Sequence, residues 1–173
     1  MVNLCRDTLE AVPVNQRSIS SIPGFIKLDR GQLYGVTHGD EFQVFIYNIM
    51  NKSWSASEIQ RNYYPIGFDA HSGIVAALCF SRPTKDERET TLLVFNCELE
   101  LIITEPISLG NEAFNIGSLQ IFGELQDPSF DQAYTIVVMS NYKENQHVFD
   151  LTSSRCSVNA SGSQWRLKHA QLQ

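Results

Sequence analysis

The 173-residue chain is short of the features that would let it bind a charged polymer or cross a bilayer. No run approaches the roughly 20 apolar residues that a membrane-spanning helix needs. Basic residues are in deficit: 13 Lys and Arg stand against 19 Asp and Glu, a net charge of −6. That excludes the basic stripe of a nucleic-acid binder. The cysteines Cys5, Cys79, Cys97 and Cys156 form no C-x-x-C pair, so zinc-ribbon chemistry is not expected. Cys79 and Cys97 lie in apolar runs, where a thiol behaves as a small hydrophobe. His38 has acidic neighbours in Asp40 and Glu41, but T-H-G-D-E reads as a polar turn rather than a metal site. His71, His147 and His169 lack ligand-spaced neighbours. G-x-S-x-G, G-x-G-x-x-G and P-loop signatures are missing. No catalytic residue, metal or cofactor is therefore expected. The N-terminal stretch lacks a signal-peptide layout, and the expected compartment is the cytoplasm. Helical periodicity is scarce, with only 4–11 and 164–172 fitting short helices.

What is present is strand pattern. QLYGVTH (32–38), FQVFIYN (42–48), IVAALCF (74–80) and TLLVFNC (91–97) are short apolar runs rich in β-branched and aromatic residues. LELIIT (99–104), SLQIF (118–122), AYTIVVM (133–139) and HVFDL (147–151) are of the same kind. The charged stretch 81–89 reads as a solvated hairpin tip, 144–146 as a second turn, and 110–117 as a connection between larger units. Val44, Phe45, Ile46 and Tyr47 are apolar at consecutive positions, so both faces of that strand are expected to be buried.

A two-part pattern recurs. Tyr47-Asn48 is followed by Trp54 seven positions after the tyrosine, Phe95-Asn96 by Ile102, and Phe149-Asp150 by Cys156. A hairpin turning between Met50 and Asn51 sets Tyr47 directly opposite Trp54, an aromatic cross-strand pair worth up to about 1 kcal/mol. Upstream, Leu28-Asp29, Phe68-Asp69 and Phe130-Asp131 each precede an apolar strand. The repeat length is about 48–54 residues, a period that points to stacked all-strand units.

LYGVTHGDEFQVFIYNIMNKSW resembles one repeat of a kelch β-propeller through Leu33, Tyr34, Gly39, Tyr47 and Trp54. The paired glycines of that family are missing; Thr37-His38-Gly39, Phe80-Ser81 and Ser140-Asn141 stand in their place. The phrase Gly67-Phe68-Asp69 also resembles the F-box-associated domains. The resemblance implies an all-β fold of three consecutive propeller-type blades of antiparallel strands, at about 24–60, 61–109 and 110–160, with a C-terminal tail at 161–173. Propellers carry four to eight blades, so three imply an incomplete β-propeller. Its expected completion is by missing blades of a longer chain or by self-association. A two-sheet sandwich is the structural rival.

The function implied is a non-enzymatic protein–protein interaction module, a scaffold or substrate-recruiting segment with a protein partner. Part of a propeller-fold enzyme and an F-box-associated-type recognition domain are the alternatives. Arg61, Tyr63 and Tyr64, of residue types enriched at binding hot spots, are the candidate binding residues.

Overall fold

The computed structural model describes residues 23–37, 41–81, 89–107, 116–123, 132–140, 146–155 and 163–172. Among these, all regular structure is strand. Twelve of the fourteen strands form three four-stranded antiparallel sheets, each running through its strands in chain order. Sheet I holds β1 (Pro23–Asp29), β2 (Gln32–Thr37), β4 (Val44–Asn48) and β5 (Ser53–Ala56). Beside it, β3 (Glu41–Phe42) and β6 (Gln60–Arg61) form a two-stranded ribbon. Sheet II holds β7 (Tyr63–His71), β8 (Ile74–Ser81), β9 (Glu89–Phe95) and β10 (Leu101–Ile107). Sheet III holds β11 (Ile116–Phe122), β12 (Gln132–Ser140), β13 (Gln146–Arg155) and β14 (Ser163–Leu172). No helix among the described residues is long and apolar enough to cross a membrane.

The sheets are stacked with sheet II in the middle. Successive side chains of a strand point to opposite faces, and β8 has apolar residues on both. Ile74, Ala76 and Leu78, with Leu92 and Val94 of β9, pack against Leu119, Ile121, Ile136, Phe149 and Leu151 of sheet III. Val75, Ala77 and Cys79, with Leu93 and Phe95, pack against Tyr34, Val36, Val44 and Ile46 of sheet I. A strand that packs on two sides reads as a continuous apolar run, which is why IVAALC shows no alternation. The first strands lie side by side: β7 touches β1 and β11, and this contact is more extensive than that between the last strands β10 and β14.

Local chemistry repeats from sheet to sheet. Each first strand carries a bulge: Gly24 between Pro23 and Phe25, Ile66 between Pro65 and Gly67, Gly117 between Ile116 and Ser118. An extra residue bends and twists an edge strand away from open pairing. Arg30-Gly31 (φ 47° and 77°) and Ser72-Gly73 (φ 50° and 86°) close the first hairpins of sheets I and II with two left-handed residues each. That is the turn whose twist matches the strands it joins, with glycine at the second position. The third strands of these sheets end on a capping asparagine. Asn48 Oδ1 accepts from the amides of Met50 (3.0 Å) and Asn51 (3.3 Å). Asn96 Oδ1 accepts from those of Glu98 (3.0 Å) and Glu100 (2.9 Å).

Tyr47 is the direct partner of Trp54, as the hairpin spacing requires. The indole also meets the Phe45 ring edge-on, with centroids 6.5 Å apart. Phe95 pairs with Leu101, and Ile102 is the bulged residue. In sheet III the pattern fails. Phe149 and Asp150 lie in the middle of a ten-residue strand, opposite His169 and Lys168, and Cys156 is outside the described residues. The repeat is also uneven: 42 residues separate Gly24 from Ile66, and 51 separate Ile66 from Gly117.

Two expectations for the C-terminus are corrected. Residues 163–172, expected as a tail and as a short helix, are β14, the fourth strand of sheet III. Trp165, Leu167 and His169 alternate with Arg166 and Lys168, which is strand periodicity, with Trp165 and Leu167 half-buried on one face and Arg166 and Lys168 exposed on the other. Residues 4–11, 82–88, 108–115 and 141–145, with His38, Gly39 and Asp40, lie outside the described residues.

Candidate functional site

The expected binding residues do not share a face. Arg61 ends β6 and is exposed, its Nε 3.3 Å from Glu41 Oε1 across the ribbon. Asn62 follows with a left-handed backbone (φ 65°). Tyr63 then packs on the side of sheet II that faces sheet I, with Phe68 and Phe25. Tyr64, opposite Phe80, lies on the other side, where Phe80 joins the contact with sheet III. Both tyrosines are half-buried, so their surface is largely committed to the stack.

A chain of polar contacts joins the first strands instead. Lys27 of β1 forms an ion pair with Asp69 Oδ1 of β7. Asp69 Oδ2 accepts from the amide of Ile121 in β11 at 2.7 Å. One carboxylate thus bridges all three sheets and satisfies an edge-strand N–H that has no ladder partner. Asp29 Oδ2 accepts from the Ser72 amide at 2.8 Å and lies 3.8 Å from His71 Nδ1. The buried Tyr34 hydroxyl donates to Gln32 Oε1 at 2.5 Å. Burial, followed by the nearby Asp29 carboxylate, pushes the Tyr34 phenol above its ordinary value. Apart from the Tyr34–Gln32 bond within β2, each of these contacts joins two sheets.

At the far edge of sheet III, His147 Nδ1 lies 3.1 Å from His169 Nε2, and His169 stacks on Phe149. No group of three His, Cys, Asp or Glu able to hold a metal occurs among the described residues. Cys79 is buried and Cys97 exposed, both as free thiols. The exposure of Cys97 departs from the apolar setting expected of it. It sits in the β9–β10 turn, beside Gly73.

The surface best suited to binding is the outward face of sheet I. Ile26 and Leu28 of β1 pair with Gly35 and Leu33 of β2, which pair in turn with Phe45 and Tyr47 of β4. Trp54 and Ala56 of β5 complete the same face. The Phe45 ring lies on Gly35, where any Cβ would overlap it. Ile26 is 56% and Leu28 62% exposed, although they belong to a sheet whose other face is core. Sequence reasoning missed them because PGFIKLD begins with Pro-Gly and does not stand out as a strand. The signal was the alternation of Phe25, Lys27 and Asp29 with Ile26 and Leu28. Comparison with family models, with curated proteins and with solved structures finds no match for this chain.

Proposed function

We propose that the chain is a non-enzymatic protein-interaction module built from three propeller-type blades, serving as a scaffold or substrate-recruiting segment. The observation that carries this reading is the apolar outward face of sheet I, with Ile26 and Leu28 in solvent. Contiguous exposed apolar surface on a folded domain marks a site of association. The blade reading is supported by three meandering four-stranded sheets, by first strands in closest mutual contact, and by a middle sheet packed on both faces. A cytoplasmic setting fits the exposed free thiol of Cys97.

Placing a photo-crosslinking phenylalanine at position 28 tests the reading in cells that express the chain. Covalent protein adducts are expected from position 28 and not from the exposed turn residue Lys52. No adduct from position 28, or equal labelling from both positions, overturns the proposal.

A further inference from the structure

The stack has two open ends, and their exposed apolar residues occupy corresponding places. At one end are Ile26 and Leu28 on β1; at the other is Phe122 of β11, 50% exposed on the outward face of sheet III. Both are first strands. Within the molecule, corresponding strands lie against one another: β1 on β7, β7 on β11, and β10 on β14. Continuing the same step beyond sheet I brings a first strand over β1 and a last strand over β5.

Sheet III offers both. Its outward face carries Phe122 on β11, Val137 and Met139 on β12, Val148 and the exposed Asp150 on β13, and Arg166 and Lys168 on β14. Phe122 would fall on Ile26 and Leu28. Arg166 and Lys168 would fall over Trp54 and beside Tyr47, where a cation above an aromatic face is attracted by the ring quadrupole. The sheet I face is short of charge and presents the half-buried rings of Tyr47 and Trp54, while the sheet III face carries the cations Arg166 and Lys168, with Asp150 opposite Lys168. Resting on the reading of sheet I's outward face as an interaction surface, we propose that its partner is the outward face of sheet III on a second copy of this chain.

The contact is head-to-tail, so an open assembly keeps one unused face of each kind, at its two ends, until it closes. Two copies that close would make a ring of six sheets, within the four to eight of closed propellers. A step that does not close gives longer oligomers.

Sedimentation of the full chain at micromolar concentration tests this. The wild type is expected to sediment as a dimer or larger. Leu28→Asp and Phe122→Asp, both at exposed positions, are each expected to weaken association at least tenfold. Mixed one to one, they should recover a dimer, because each variant retains the face that the other has lost. If Phe122→Asp fails to fold by circular dichroism, the exposed pair Arg166→Glu/Lys168→Glu takes its place in the mixing experiment. A monomeric wild type, wild-type association of the sheet III variant, or a mixture that stays monomeric overturns the proposal. Crosslinking from position 28 to other proteins, with a monomeric wild type, would reject self-association while leaving the interaction reading intact.

Discussion

Asp69→Ala removes a side chain that touches all three sheets. The carboxylate is 9% exposed and accepts from Lys27 of sheet I and from the buried Ile121 amide of sheet III. Truncation leaves that amide without a partner, a loss of about 1–3 kcal/mol for a buried donor. The ion pair adds less, because the Lys27 side chain is 36% exposed and solvent screens it. About 0.2–1 kcal/mol is the range for such pairs. Together these give roughly 1–4 kcal/mol. Asp69→Asn keeps an acceptor for Ile121 and loses the charge, so it should fall near 1 kcal/mol or below. Urea unfolding followed by tryptophan fluorescence and circular dichroism measures both. The two variants must differ by at least about 1 kcal/mol, with alanine the worse. If alanine stays within about 0.5 kcal/mol of wild type, the carboxylate does not bridge the sheets as described.

Further outcomes follow from the same packing. Gly35→Ala should destabilise by about 1–3 kcal/mol, because its Cβ must displace the Phe45 ring; thermal melting reads it directly. Trp54→Ala should be destabilising by about 2–3 kcal/mol, less than a fully buried indole because Trp54 is half-buried. Trp54→Phe should be milder, since Nε1 is a buried donor with no partner among the described residues; equal losses in chemical denaturation would contradict this. Burial raises the Cys79 thiol from its ordinary value of 9.0, and the Tyr34 phenol is raised from 10.0. Unfolding lets both groups ionise at their ordinary values, so their contribution to stability is full below pH 9 and is lost as pH rises from there. The melting temperature should drop between pH 9 and 11, and Cys79→Ala should make that drop shallower.

The strands legible in the sequence were those whose burial leaves a compositional trace. IVAALCF and TLLVFNC announce the middle sheet because both faces are packed. YYPIGFDAH does not, because Pro65 and Gly67 read as a turn. An edge strand with a bulge tolerates both, and β7 is such a strand. The last ten-residue strand was missed because Arg166 and Lys168 dilute its apolar face, although the alternation around them was visible. Spacing placed Tyr47 opposite Trp54, since a hairpin fixes register locally. It could not place Asp69 between Lys27 and Ile121, which are 42 and 52 residues away. Arg61, Tyr63 and Tyr64 looked like a cluster because they are adjacent in sequence. The alternation of neighbouring side chains sends the two tyrosines to opposite faces.

The doubly packed middle sheet has a consequence during synthesis. Sheets form from local hairpins, so β7 to β10 can pair as soon as they leave the ribosome. Sheet I is already there to cover one side. The other side, with Leu78, Leu92 and Val94, waits for β14, which ends 65 residues after β10. At about 5–20 residues per second that interval is roughly 3–13 s, long compared with hairpin formation. Through that interval the nascent chain exposes an aliphatic sheet face that its finished form buries, and encounters with chaperones or with neighbouring nascent chains would fall within it.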